Sequence, residues 1–236
     1  MLPLLLPAVP FLLWCMAAFY LLFFFLLWDR WQQDTAFRIP LLMAGLTFGL
    51  FYDAFVLALG AFLGDGLLLK TLSAPRYILH GALTPLLLAI CAEALESSHT
   101  AQKVVGVLTA LLMLAGAAAG CRARLKALKH AGITRFVLDG ETTPKWVGGL
   151  LSALSVVPTL VLIACGLVLW KKKGEKELTL AGALMFFFAG IGPATGHMKE
   201  SFLYSMFGEL GLVSFLWRYI KKKIRTVLNE SQSHNI

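Results

Sequence analysis

Asp53, His80 and Glu209 place titratable groups inside long apolar stretches, and His197 stands just before the stretch that carries Glu209. Asp53 lies within LLMAGLTFGLFYDAFVLALGAFL, Leu41 to Leu63, where the other polar side chains are Thr47 and Tyr52. A helix of about 20 such residues crosses the roughly 30 Å hydrocarbon core of a bilayer. Asp53 then falls near the midplane, where ionisable side chains are costly and mark function by default. Glu209 sits at the centre of a second such stretch, Ser201 to Ile220.

Three chemistries are open to this set. Two carboxylates at one depth share a proton and separate their pKa values, which suits acid–base work or a proton relay. His80 and His197 with Asp53 form a zinc-binding set if zinc is present. The same groups can also hydrogen-bond a polar head group, or backbone freed by Pro85. Asp53, Glu209 and His80 are therefore the expected catalytic set. Tyr52, Thr84 and Ser205, adjacent to these residues or one helical turn away, are the expected substrate contacts. The plain competitor is a packing role in which the acids and histidines hold helices together.

The elements that must position these groups follow from composition. The chain has 236 residues, 58% hydrophobic and 14% charged, with a mean hydropathy of +0.77. A soluble domain carries about 25% charged residues. So apolar a chain is expected to be an all-α, polytopic transmembrane bundle, a single integral membrane domain over residues 1–236. The expected spans are 11–28, 41–63, 77–95, 104–120, 148–170, 178–194 and 201–220, with six or eight crossings as the nearest alternatives. Trp28, Trp31, Trp146, Trp170, Trp217, Tyr77 and Tyr219 stand at segment ends and read as interface anchors.

Between these spans the expectations are more local. Gly45/Gly49 and Gly60/Gly64 have the four-residue spacing that lets helices approach closely. GDGLLLKTLSAPR reads as a loop, with LLLKTL as an interfacial turn. Pro85 is expected to kink the third span. In residues 121–147, RARLKALKH reads as a surface helix, and Asp139-Gly140 as the turn of a hairpin. The polar tail NESQSHNI is expected to fray.

Under this seven-span topology Asp53 lies about ten residues, or roughly 15 Å, from its end of the second helix. Glu209 lies about eight residues, or roughly 12 Å, from the same side. His80 and His197 are assigned to that side as well. Basic residues slightly favour an N-outside, C-cytoplasmic orientation.

The net charge of +8 comes in short blocks beside apolar segments, which fits membrane flanks and excludes a nucleic-acid surface. The expected partners are the lipid bilayer, with anionic lipids at the basic C-terminal cluster. Cys15, Cys91, Cys121 and Cys165 show no metal or redox spacing. Walker A, GxGxxG, GxSxG and HExxH motifs are absent. The functional expectation is an intramembrane polar pocket that handles a lipid or small molecule. A proton-coupled small transporter using Asp53 and Glu209 is one alternative; a non-catalytic scaffold or complex subunit is another.

Overall fold

The computed structural model describes residues 6–233. Among the described residues, eight α-helices and one β-hairpin follow a short 3-10 turn: α1 Val9–Gln33, α2 Ile39–Leu59, α3 Leu67–Leu83, α4 Leu86–Ala94, α5 His99–Cys121, β1 Leu125–His130, β2 Ile133–Leu138, α6 Lys145–Lys173, α7 Glu177–Thr195 and α8 Ser201–Ser233. The fold is an all-α bundle. Among the described residues, six segments are long and apolar enough to cross a bilayer: α1, α2, α3 with α4, α5, α6 and α7.

The chain forms two compact units, Met1–Ala92 with Ser97–Pro158, and Glu93–Glu96 with Thr159–Ile236. In the first, Gly81 and Gly116 bring α3 and α5 into backbone contact. A Cβ at Gly81 would lie 2.5 Å from the Gly116 carbonyl oxygen, and one at Gly116 would collide with the Gly81 carbonyl. Gly45 and Gly49 of α2 make room for Leu86 and Leu83, so this spacing does pack helices. Gly60 and Gly64 do not form a second helical motif. Gly60 caps α2, and Gly64 is a left-handed turn residue with φ +61°.

Pro85 divides the third span into α3 and α4, as expected from its missing N–H and the clash of its ring with the preceding turn. The segment before it differs from expectation. The stretch read as a loop is helical from Leu67, which puts Pro75 and Arg76 inside α3.

Residues 121–147 also differ. The basic stretch is strand β1, antiparallel to β2, with Leu125 opposite Leu138 and His130 opposite Ile133. The turn is Ala131-Gly132, with φ 55° and 75°, the pair of positive angles that a two-residue hairpin requires. Asp139-Gly140 instead follows β2, where the Asp139 carboxylate accepts a hydrogen bond from the Thr142 hydroxyl at 2.6 Å and pairs with Lys126 at 3.0 Å. Both contacts favour the carboxylate and hold Asp139 below the usual range. The hairpin lies on the ends of α2 and α3. Thr134 N–H donates to the Gly60 carbonyl at 2.8 Å, and Phe136 packs with Val56 and Leu69.

In the second unit α7 and α8 run antiparallel. A Cβ at Gly192 would collide with Ser201, and one at Gly208 would lie 3.0 Å from Met185 Cα. Further along, Lys222 pairs with Glu177 at 3.7 Å. Ser201 to Lys222 thus lies alongside the whole of α7, although α8, expected as the seventh span, is not among the six segments long and apolar enough to cross a bilayer. Its hydropathy is diluted by Glu209 and by the basic end of the helix. α8 continues to Ser233, so part of the tail expected to fray is helical; residues 234–236 lie outside the described residues.

Along the same helix, Lys223 pairs with Glu96 at 3.0 Å, and Glu96 also accepts Lys173 at 2.8 Å. Their hydrogen bonds hold the Glu96 carboxyl below its ordinary value. These contacts also anchor Glu96 at φ 51°, which a non-glycine residue rarely adopts.

Two outcomes follow. Gly116→Ala should destabilise the first unit by about 1–3 kcal/mol, the usual cost of overpacking. Gly106→Ala, mid-helix where a Cβ meets nothing within 4 Å, should stabilise slightly, by up to about 1 kcal/mol; thermal unfolding in detergent compares the two. Glu96 has a lowered folded pKa, so its stabilisation is full above its unfolded pKa, near 4.3, and is lost as pH falls through the folded value. Acid titration of unfolding should show this loss in the wild type and a weaker one in Lys223→Gln.

Candidate functional site

Asp53 finds its partner in Arg76. The Arg76 Nε–H donates to Asp53 Oδ1 at 2.8 Å, from α3 to α2. The guanidinium side chain is 11% exposed and the carboxylate 31%. Arg76 is helical because α3 begins ten residues earlier than the expected span, at Leu67 rather than Tyr77. Its guanidinium also lies 5.9 Å from the centre of the Tyr77 ring.

His80 follows Arg76 by one helical turn, so the two share a face of α3. Its Nε2 lies 2.7 Å from Ser155 Oγ on α6. His80 is exposed and Ser155 half-buried. Ser155 also donates to the Leu151 carbonyl at 2.9 Å, the local bond that a serine makes inside a helix.

Three hydroxyls build the frame around these pairs. Tyr52 donates to the Leu72 carbonyl at 3.0 Å, close to the break that Pro75 makes in the helix ladder. Thr84 donates to the His80 carbonyl at 2.5 Å, next to Pro85. Tyr77 donates to the Phe136 carbonyl at 3.2 Å, tying α3 to the hairpin. Tyr52 and Thr84, expected as substrate contacts, are thus engaged with backbone.

The remaining expected residues stand in the second unit. Glu209 is 8% exposed and accepts a long hydrogen bond from Ser205 at 3.4 Å, one turn away. His197 is exposed, with Nδ1 3.1 Å from Thr195 Oγ1. Asp53 therefore has a cation as its close partner, and Glu209 has a hydroxyl. Among the described residues, no group of three or more His, Cys, Asp or Glu is arranged to hold a metal ion.

The site thus consists of Asp53–Arg76 and His80–Ser155, brought together by α2, α3 and α6, with Tyr77 linking it to the hairpin. Sequence reasoning missed Arg76 and Ser155. Arg76 carried a usable signal, its four-residue spacing from His80, which Pro75 obscured by suggesting a loop. Ser155 carried none beyond a hydroxyl in an apolar span. A separate shallow cavity of about 530 Å³ lies at the hairpin turn, lined by Gly60, Phe62, Lys129, His130 and Thr134 among others. Asp65 pairs with Lys129 at 3.2 Å.

Fold and spans together define a multi-pass, all-α membrane protein. No protein-family model matches the chain, and no curated protein matches it.

If Asp53 and Arg76 are coupled, removing one leaves the other uncompensated. For fully buried pairs that costs about 3–5 kcal/mol; the partial exposure of Asp53 lowers the expectation to about 1–3 kcal/mol. Asp53→Asn and Arg76→Met should each destabilise by this amount, and the double variant by less than their sum. A double-mutant cycle on thermal unfolding measures the coupling, and strict additivity would remove the pair from the account.

Proposed function

We propose that this protein binds the polar head group of a phospholipid at the Asp53–Arg76–His80–Ser155 cluster, within the bilayer. The observation that carries the reading is the close placement of an ion pair and a histidine–serine pair on one turn of α3. A helix staple needs the ion pair alone. The additional accessible histidine offers a ligand both a donor and an acceptor. A guanidinium has five donors in a planar fork, so Arg76 can meet a carboxylate on one edge and a phosphate on another. Acidic Asp53 is then a positioning residue for Arg76 rather than a proton gate, which favours lipid handling over a proton-coupled carrier.

The orientation we propose is N-outside and C-cytoplasmic. Its support is the gathering of Lys171, Lys172, Lys176, Lys221, Lys222 and Arg225 at the end of the second unit where α6 ends and α7 begins. Such a cationic end suits the anionic cytoplasmic leaflet. Trp217, with Lys221 Nζ 5.2 Å from its ring, fits the same interface.

Native mass spectrometry of protein extracted in mild detergent tests the head-group site. The wild type should retain phospholipid near one per chain. Arg76→Gln should weaken retention about tenfold, as loss of a charge-assisted hydrogen bond of roughly 1.5 kcal/mol predicts, while Gly106→Ala retains it. Equal retention by Arg76→Gln would exclude this cluster as the site.

A further inference from the structure

We propose that Ser155 is an acyl-accepting nucleophile and His80 its base, which makes the lipid site one for cleavage or transfer of an acyl ester. The inference rests on the phospholipid reading and adds to it the bond that reacts.

Geometry supplies the first argument. Ser155 Oγ and His80 Nε2 are 2.7 Å apart although their residues are 75 positions apart in the chain. That distance lies within the range of a nucleophile and its general base. Local helix chemistry does not account for it, because the Ser155 hydroxyl already has an acceptor in the Leu151 carbonyl. The contact with His80 is additional, and it requires α3 and α6 to be placed against each other. They are: a Cβ at Gly81, next to His80, would lie 2.9 Å from Leu151 Cδ2.

Access and charge supply the second. His80 is exposed, and Val156 and Val157, which follow Ser155, are 44% and 52% exposed. An acyl chain therefore has apolar surface beside the hydroxyl. Asp53 and Arg76 are hydrogen-bonded to each other one helical turn before His80, so the histidine stands beside an ion pair. Arg76 also offers positive charge to an oxyanion on the same helical face.

The step balances without a redox partner. The hydroxyl turns from Leu151 to His80, and its proton passes to Nε2 as Oγ bonds to the ester carbonyl carbon. The carbon–oxygen bond to the alcohol then breaks, and the departing oxygen takes the proton from His80. Water, or a second alcohol, attacks the acyl-serine by the same route and restores the hydroxyl.

The test uses the full chain in lipid nanodiscs and an alkyl fluorophosphonate probe, with intact mass and peptide mapping as readouts. The wild type should gain one adduct, mapped to Ser155. Ser155→Ala should gain none, His80→Gln should react about 100-fold or more slowly, and Ser152→Ala should react as the wild type does. Thermal unfolding of each variant separates loss of reactivity from loss of fold; if Ser155→Ala does not fold, mapping of the wild-type adduct decides. A wild type without adduct, or an adduct that persists in Ser155→Ala, overturns the nucleophile. Phospholipid retained by an unreactive wild type overturns the nucleophile alone, whereas an adduct at Ser155 without retained phospholipid overturns the head-group reading and leaves the serine chemistry standing.

Discussion

A charge in the low-dielectric layer must be neutralised, solvated or paired, and the first unit is arranged around that constraint. Asp53 and Arg76 both lie inside candidate spans, and they are hydrogen-bonded to each other. Holding them together fixes the rotation of α2 against α3. That rotation turns the next helical position, His80, towards α6 and Ser155. The ion pair thus does more than join two helices, because it sets the direction of the histidine one turn on.

The backbone obeys the same rule. A proline in a spanning helix frees carbonyl groups that lipid cannot hydrogen-bond. α3 has Pro75 within it and Pro85 just beyond it, and hydroxyls from Tyr52 and Thr84 meet carbonyls beside each. Tyr52 and Thr84, which resemble ligand contacts in a linear reading, instead serve a local demand, bonding carbonyls next to the ones the prolines free. What remains after it is met is the pair His80–Ser155 and the charges of Asp53 and Arg76. That remainder gives the candidate site its content.

Hydropathy made the membrane class and most spans legible, because a run of about 20 apolar residues has few alternatives. The Pro85 break was legible for an equally direct reason, a missing N–H. Pro75 misled, since a proline near Lys70 and Arg76 reads as a loop from local composition, whereas it lies inside α3. The hairpin was hidden by β1, whose Lys126, Lys129 and His130 suggest a basic surface helix, and by Asp139-Gly140, a stronger turn signal than Ala131-Gly132. Asp53 and His80 stood out as polar residues in apolar sequence. Their actual partners did not, because the pairing of Asp53 with Arg76 and of His80 with Ser155 is set by helix rotation, which periodicity of so apolar a chain barely encodes.

The hairpin packs on the ends of α2 and α3, the helices that carry Asp53, Arg76 and His80. An irregular loop over the ends of α2 and α3 would carry backbone groups in need of water. The two strands pair the backbone groups that face each other, and β2 adds the bond from Thr134 to Gly60 on its outer side. Its side chains can then be apolar where they meet the helices, as Phe136 is. Lys126 and Lys129 on β1 are exposed, and charge of this kind discourages pairing of an edge strand with other chains. Tyr77 completes the arrangement, since its hydroxyl reaches the Phe136 carbonyl from the residue between Arg76 and the turn bearing His80. Any displacement of the hairpin must therefore break or carry along a bond made by α3 at the residue next to Arg76.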